Sequence, residues 1–243
     1  MITGSVIAEI AALVGDPARA EMLSALLDGR PLAAGDLALA AGVTPQTASS
    51  HLAKLTQMGL LSVIQNGRHR YFRLASPTVV EMLEGIAAVA LERRPRRRPL
   101  TSETQALDAA RVCYDHLAGR LSIDLTDFFT KRRYIVADDK TAEITPAGAR
   151  FLTEFGIDVP ALGGRRRKPC RLCLDWTERR PHLAGTMGAA LTERCFHLGW
   201  LERMKRSSAV VVTKPGKRGF MRTFGIDVSG RAQRSSRPGM SSR

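Results

Sequence analysis

Apolar residues recur at helical spacing through the first ninety residues, and short breaks separate one run from the next. Apolar side chains over positions 6–14 repeat every three or four residues, which predicts a first helix. Asp16 before Pro17 is typical of an N-cap and a first helical residue, so a second helix is predicted from there through Leu27. A third, short helix is predicted over Leu32–Ala41.

A fourth helix is predicted between Thr44, which suits an N-cap, and Gly59, which suits the position after a helix C-terminus. Ala48, Leu52 and Leu55 would share one face and pack in the core. The opposite face carries short hydroxyl and amide side chains with one lysine. Such side chains can bond to base edges and neutralise a phosphate, so this face favours entry into a DNA major groove over plain solvation.

A β-hairpin is predicted after the fourth helix. The β-rich runs Leu61–Ile64 and Arg70–Leu74 flank Gln65–His69, which contains the dipeptide Asn66-Gly67. Asn-Gly between two such runs is a strong hairpin signal, and the tip of this hairpin is basic.

A last helix of this region is predicted from Pro77 to about Glu92, with an apolar stripe along it. The stripe could be core or a face for a partner. We favour a dimer seam, because two-fold DNA-binding proteins need one.

The charge of the chain points to a polyanionic partner. The sequence has 37 Lys and Arg against 23 Asp and Glu, a formal net charge of +14. No acidic residue occurs between Leu37 and Val80, which is where the fourth helix and the hairpin lie. This placement favours nucleic-acid binding over a mere effect on solubility.

These segments resemble the helix-turn-helix and wing of ArsR/SmtB-type repressors. The resemblance covers about residues 5–92 and is carried by the following segments in register: Asp36–Ala38, Ala41–Thr44, Ser49–Leu55, Met58–Leu61 and Asn66–Leu74. It implies a winged helix-turn-helix that dimerises through its first and last helices, with the fourth helix in the major groove and the wing on the backbone or minor groove.

The DNA-contacting side chains are predicted on the fourth helix and on the wing. The candidates are Thr44, Gln46, Thr47, Ser49, Ser50, His51, Lys54, Arg68, His69, Arg70 and Tyr71. His51 lies between the two faces of the helix and could pack on the core or reach the DNA backbone. The family's metal sensors carry cysteines on the third helix or Asp and His on the last helix. Here Leu32–Ala41 contains no cysteine, and Pro77–Glu92 contains no Asp or His, so neither familiar metal site is expected.

Composition divides the chain into further modules. Basic, Pro- or Gly-flanked runs at 93–99 and 163–169 are predicted to be exposed linkers, and the Ser/Arg/Gly-rich tail 229–243 to be disordered. The modules are therefore predicted at 1–92, 100–162 and 170–228.

The second and third modules are predicted to be copies of one repeat. Three segments recur in the same order with nearly equal spacing. They are His116–Gly119 with His182–Gly185, Thr145–Gly148 with Thr213–Gly216, and Phe155–Asp158 with Phe224–Asp227. Cys113–Asp115 is also echoed by Cys173–Asp175. Each copy is predicted to hold helices and a strand or hairpin near Tyr134–Ile144 or Val210–Thr213, so each is itself similar to a winged helix.

All four cysteines lie beyond the first linker. The candidates for an effector or redox site are Cys113, Asp115, His116, Cys170, Cys173, Asp175 and His182. The segment Cys113–His116 is predicted to be helical, which would place a thiol, a carboxylate and an imidazole within one turn. Three interpretations stay open. The first is one effector pocket at which the two repeats bring together Cys113, Asp115, His116, Cys173, Asp175 and His182. The others are a redox switch between Cys170 and Cys173, and buried cysteines and histidines with a purely structural role.

No catalytic residue, metal ligand or cofactor is assigned from the sequence. A single Cys-x-x-Cys is weak evidence for zinc, and no Ser/His/Asp or paired-carboxylate arrangement is present. No apolar run reaches the length of a membrane span, and four cysteines in a chain of 243 residues are too few for a disulfide scaffold, so a cytoplasmic location is expected.

The sequence therefore predicts a mainly α fold with small β-hairpins (α+β): an N-terminal winged helix-turn-helix followed by two repeated winged-helix-like modules. The predicted function is that of a homodimeric, sequence-specific regulator of double-stranded DNA, a repressor that senses an unknown small-molecule or redox effector, and not an enzyme. Two alternatives remain: a thiol-based redox or metal-binding protein that uses winged helices as a scaffold, and a non-specific nucleic-acid-binding protein.

Overall fold

The computed structural model describes residues 4–67, 69–92, 102–138, 141–163, 169–175, 177–204 and 207–228. The chain forms two compact units, 1–93 and 94–243. The predicted wing residue Arg68, the linker 93–99, most of the second linker and the tail 229–243 lie outside the described residues.

The first unit consists of helices around a small sheet. Its elements are α1 (Gly4–Val14), α2 (Pro17–Ala25), β1 (Leu32–Ala33), α3 (Ala34–Ala41), α4 (Pro45–Gln57), β2 (Leu61–Asn66), β3 (His69–Leu74) and α5 (Pro77–Glu92). The sheet has the strand order β1-β3-β2, and both strand pairs are antiparallel.

The helix boundaries of this unit follow from capping residues that the sequence marks. The Asp16 side chain accepts a hydrogen bond from the backbone N–H of Arg19, and Thr44 does the same for Thr47 at the start of α4. Gly42 ends α3 in the left-handed region, at φ 64°, which glycine adopts without strain.

Three predicted boundaries in the first unit were wrong. Residues Leu32–Ala33 form strand β1 instead of the first turn of a helix, because they pair with Phe72 and Tyr71 of β3. α2 ends at Ala25 and not at Leu27. The wing strands extend to Asn66 and from His69, so they are longer than predicted.

The second unit contains the same succession of elements twice. A helix precedes each copy, α6 before the first and α9 before the second, and each copy then runs hairpin, helix, hairpin, helix. The elements are α6 (Ser102–Ala109), β4 (Arg111–Cys113), β5 (His116–Ala118), α7 (Arg120–Lys131), β6 (Ile135–Ala137), β7 (Ala142–Ile144), α8 (Pro146–Glu154), α9 (Val159–Gly163), β8 (Arg171–Leu174), β9 (Pro181–Ala184), α10 (Gly185–His197), β10 (Leu201–Arg203), β11 (Val210–Val212) and α11 (Lys214–Phe224).

Corresponding residues of the two copies have corresponding roles. Thr145 and Thr213 cap α8 and α11 by accepting hydrogen bonds from the N–H groups of Gly148 and Gly216. The predicted hairpins near Tyr134–Ile144 and Val210–Thr213 are β6–β7 and β10–β11.

The two copies share one hydrophobic core instead of forming separate modules. Buried residues of the first copy, such as Phe129 and Leu152, belong to the same cluster as Met187 and Phe220 of the second. The predicted modules 100–162 and 170–228 are therefore two repeats within one compact unit.

Reciprocal hydrogen bonds join the two repeats. The backbone N–H of Leu117 donates to the Thr192 hydroxyl at 2.9 Å, and the N–H of Leu183 donates to the Thr126 hydroxyl at 3.0 Å. Leu117 and Leu183 are equivalent in the repeat, and each contacts the helix of the other copy. Such an exchange of equivalent contacts is the mark of a two-fold relation, so the repeats are related by an approximate two-fold axis.

The fold is α+β, with a winged helix-turn-helix unit and small antiparallel strand pairs. Within the described ranges, no helix combines the length and the apolar character needed to cross a membrane.

Candidate functional site

Helix α4 presents one buried and one exposed face, as its sequence predicts. Ala48, Leu52 and Leu55 are at most 1% exposed and hold the helix in the core of the first unit. The polar residues on the other side are exposed: Gln46, Thr47, Ser49, Ser50 and Lys54.

Some exposed polar side chains of α4 already make hydrogen bonds within the protein, and others do not. The Thr44 hydroxyl caps the helix and lies 2.9 Å from that of Thr47, and the Ser49 hydroxyl donates to the carbonyl of Pro45. Within the described residues, the side chains of Gln46 and Ser50 have no hydrogen-bond partner. These two side chains can therefore bond to an external partner without breaking a bond in the protein.

His51 lies at the edge of α4 against the preceding helices. Its Nδ1 is 3.3 Å from Nη1 of Arg19, and the Arg19 guanidinium also donates to the carbonyls of Leu13 and Ala12. The ring is half-buried, so one side of it packs within the unit.

The wing carries basic side chains on a two-stranded ribbon. His69 and Arg70 are exposed, and Tyr71 is half-buried. The Arg70 guanidinium lies 5.7 Å from the centre of the Phe72 ring, which holds the arginine along the strand. Gly67 has φ 59°, as a tight turn in a two-residue loop requires.

A second group of candidate residues meets in the repeat unit. Cys113, His116, Cys173 and His182 each offer one donor atom, and these atoms all lie within 4.8 Å of one another. Cys170 is not a member of this group. The redox-switch interpretation paired Cys170 with Cys173, whereas the structure brings Cys173 to Cys113.

The segment Cys113–His116 is a hairpin and not the helical turn predicted for it. Cys113 and His116 are directly opposite on β4 and β5, and Cys173 and His182 are directly opposite on β8 and β9. Tyr114, in the turn, has φ 58°. The repeated Cys and His are therefore equivalent cross-strand pairs.

Asp175 anchors the second hairpin to the first repeat. Its carboxylate accepts from the guanidinium of Arg111 at 3.0 Å and from the backbone N–H of Gly119 at 2.6 Å. The Thr177 hydroxyl and the Glu178 N–H donate to the other oxygen. Burial by itself would raise the pKa of Asp175, but Arg111 and these donors hold it well below its usual value. No sequence signal identifies Arg111 as the partner of Asp175, because the two residues are 64 positions apart.

The cysteines of this unit have different environments. The adjacent Cys173 thiol, together with the imidazoles of His116 and His182, holds the pKa of Cys113 well below its usual value against the effect of burial. Burial instead raises the pKa of Cys170 and that of Cys195 to about 12. A redox switch formed by Cys170 and Cys173 is disfavoured, because Cys170 is a buried thiol with little thiolate at neutral pH.

Comparisons with known proteins place the chain in a family. Residues 16–63 match the model described as "Bacterial regulatory protein, arsR family". The chain is also 37% identical over 222 residues to the HTH-type transcriptional regulator YdfF of Bacillus subtilis (strain 168), over 91% of this chain and 98% of the relative. The chain belongs to the ArsR family.

As an ArsR-family member, the protein is a DNA-binding transcriptional regulator with a winged helix-turn-helix. The relative matches over 222 residues, far more than the 93 of the first unit, so the match extends into the repeat unit as well.

Solved structures similar to this chain cover a smaller part of it. The homodimeric winged helix-turn-helix DNA-binding domain of a possible ArsR-family regulator from Mycobacterium bovis is 25% identical, with a TM-score of 0.35 over 39% of this chain and 87% of that one. NolR from Sinorhizobium fredii is also 25% identical, with a TM-score of 0.33 over 35% of this chain and 84% of that one.

Proposed function

We propose that this ArsR-family protein is a homodimeric repressor that binds a specific, imperfectly palindromic DNA site through α4 and the wing. The observation that carries the proposal is the exposed face of α4, where Gln46 and Ser50 are available for hydrogen bonds to base edges. Lys54 and Arg70 are exposed, and they belong to the stretch between Leu37 and Val80 that has no acidic residue. Both side chains suit contacts to phosphates.

The first and last helices of the unit support the proposed dimer. α1 has no buried residue, although it is largely apolar, and its Val6 and Ile7 are 51% and 61% exposed. On α5, Ile86 and Val89 are 48% and 60% exposed. A second copy that covers these side chains would remove apolar surface from water, which is the main favourable contribution to association.

Two recognition helices related by a two-fold axis would enter successive major grooves. In such dimers the half-sites lie about one helical turn apart, roughly 34–36 Å. If the DNA site overlaps a promoter, a dimer bound there would exclude RNA polymerase without any further contact surface. Repression is for this reason the sign of regulation in the proposal.

An effector is assigned to the repeat unit. All four cysteines of the chain lie there, and the first unit has none. Thiols, imidazoles and carboxylates supply the chemistry by which a small molecule, metal or oxidant could act. The corresponding test is release of DNA from the operator in the presence of thiols, oxidants, metals and small metabolites.

The decisive experiment is an electrophoretic shift assay with the protein's own promoter region and a scrambled duplex of equal length. We expect sequence-specific binding that Gln46→Ala weakens by about tenfold, since one lost base contact is worth about 1–3 kcal/mol. Gln57→Ala is the matched control, because this second exposed glutamine lies at the other end of α4, away from the N-terminal turns that meet bases. Equal affinity for both duplexes would instead support non-specific nucleic-acid binding.

A further inference from the structure

Four soft donors from the two repeats converge at one place in the second unit. One atom each from Cys113, His116, Cys173 and His182 lies within 4.8 Å of the other three. A tetrahedral ion with Zn–S of about 2.3 Å and Zn–N of about 2.0–2.1 Å separates its ligand atoms by roughly 3.4–3.8 Å. The group therefore needs to contract by only about 1 Å to enclose such an ion.

The repeat explains why these donors meet. Cys113 faces His116 across β4–β5, and Cys173 faces His182 across β8–β9. Side chains directly opposite on antiparallel strands lie on the same face of the hairpin, so each hairpin presents one thiol with one imidazole. The approximate two-fold axis that relates the hairpins then brings both pairs together and yields a set of two cysteines and two histidines.

The state of His182 argues against ordinary core packing. The ring is 1% exposed, and within the described part of the chain no group meets its nitrogens at full hydrogen-bond geometry; its polar neighbours are the Cys113 thiol and the Asp175 carboxylate. Asp175 Oδ2 lies 3.8 Å from its Nδ1, beyond hydrogen-bond distance. A buried imidazole without a hydrogen bond carries a desolvation cost, which a bond from nitrogen to a metal ion removes.

Each histidine also has a carboxylate on its Nδ1 side. Asp115 Oδ1 lies 3.2 Å from Nδ1 of His116, and Asp175 Oδ2 lies on the Nδ1 side of His182. Asp115 and Asp175 are equivalent in the repeat. A carboxylate on one ring nitrogen is the usual support for a metal-bound histidine, and it assigns Nε2 of each ring to the ion.

The charges of the site suit a dication. Two thiolates would neutralise an ion of charge +2, and Arg111 neutralises Asp175 by an ion pair at 3.0 Å in which both side chains are at most 3% exposed. Burying the ion would then leave little net charge in the core. Cys113 and Asp115 are partly exposed, so they mark the side from which an ion can enter.

We propose that Cys113, His116, Cys173 and His182 form a tetrahedral zinc site that joins the two repeats. Two sulfur and two nitrogen donors select zinc over magnesium or calcium, which prefer oxygen. On binding, the two thiols lose their protons to solvent and four metal–ligand bonds form, which completes the coordination. The ion therefore acts as a structural link between β4–β5 and β8–β9.

The test is metal analysis of the full chain, purified without a histidine tag from zinc-supplemented medium. We expect about one zinc ion per chain, and loss of that zinc in Cys113→Ser and in His182→Gln. The control variants are Cys195→Ala, which removes a buried thiol outside the group, and His197→Gln, which removes an exposed imidazole; both should retain the zinc.

A second measurement does not depend on how well the variants fold. The wild-type chain is stripped with a chelator and titrated with Co²⁺, which should give thiolate-to-cobalt charge-transfer absorption and strong visible bands at one equivalent. Zinc should displace the cobalt and raise the melting temperature of the stripped protein. Absence of these bands under reducing conditions, or zinc that persists in Cys113→Ser, would each overturn the proposal.

Discussion

The guanidinium of Arg111, in the first repeat, pairs with the carboxylate of Asp175, in the second, with 3.0 Å between Nη2 and Oδ2. The pair is buried, and Arg111 Nη1 also donates to the carbonyl of Leu107 and to the hydroxyl of Thr177. The ion pair therefore joins the two repeats next to the hairpins β4–β5 and β8–β9.

Replacement of Arg111 by methionine should destabilise the protein strongly. The variant leaves the Asp175 carboxylate buried without its partner, which typically costs about 3–5 kcal/mol of unfolding free energy. Urea unfolding of the wild type and the variant measures this difference. Arg180→Met is the control, because Arg180 pairs with Asp127 at 2.6 Å on the surface, where such pairs are worth about 0–1 kcal/mol. Equal losses in both variants would contradict the anchoring role of Arg111.

Gly216→Ala should destabilise the repeat unit. A Cβ at this position would overlap the backbone carbonyl of Trp200, and Gly148 stands in the same relation to the carbonyl of Tyr134. Overpacking of this kind costs about 1–3 kcal/mol or more, which unfolding curves would show. A Cβ at Gly35, in the first turn of α3, meets open space, so Gly35→Ala should leave stability unchanged or raise it by a few tenths to about 1 kcal/mol.

Lys54→Ala should reduce the salt dependence of DNA binding. Each phosphate contact contributes about 0.9 to the slope of log K against log salt concentration, so a dimer that loses two such contacts should lose about 1.8. Binding isotherms over a range of salt concentrations give the slope for operator and scrambled DNA alike. Lys131→Ala removes an exposed lysine of α7 and should leave the slope as in the wild type. A loss confined to the operator would indicate base readout by Lys54 instead.

Cys170 and Cys195 should resist alkylation in the folded protein. Burial raises the pKa of each to about 12, so at pH 8 only ~10⁻⁴ of either thiol is thiolate, the reactive form. Their labelling by iodoacetamide, followed by mass spectrometry, should rise about tenfold for each unit of increasing pH below that pKa. Both must react fully after denaturation, and fast labelling of either at pH 8 in the folded chain would refute the expectation.

Val89→Asp should shift the protein from dimer to monomer. The substitution places a charge in the apolar face of α5 that we propose to be covered by a second copy, where an unpaired charge is costly. Sedimentation analysis reports the change in mass. Val136 of β6 is 63% exposed, close to the 60% of Val89, so Val136→Asp is the control and should remain dimeric.

Local signals were sufficient to predict most of the first unit. Asp16, Thr44 and Gly42 act within one turn of their own helix, so short stretches of sequence reveal them. Strand β1 escaped prediction because it has two residues and exists only through pairing with β3, some forty positions later.

The hairpin that carries Cys113 and His116 escaped prediction for a similar reason. It has no Asn-Gly turn, and its turn residue Tyr114 takes φ 58°, a value that non-glycine residues rarely adopt. The correspondence of Cys113 with Cys173 in the repeat led to the hypothesis of one shared pocket, but it gave neither the distances between the side chains nor their cross-strand pairing. Only the shared core of the two repeats brings the equivalent residues together.

The exchanged bonds between Leu117 and Thr192 and between Leu183 and Thr126 have a consequence for a shorter chain. A polypeptide with a single repeat could make the same two bonds with a second molecule of itself, and so complete the core by self-association. The second unit thus resembles a homodimer whose two chains have been joined into one. Because the repeats are covalently linked, their association does not depend on protein concentration.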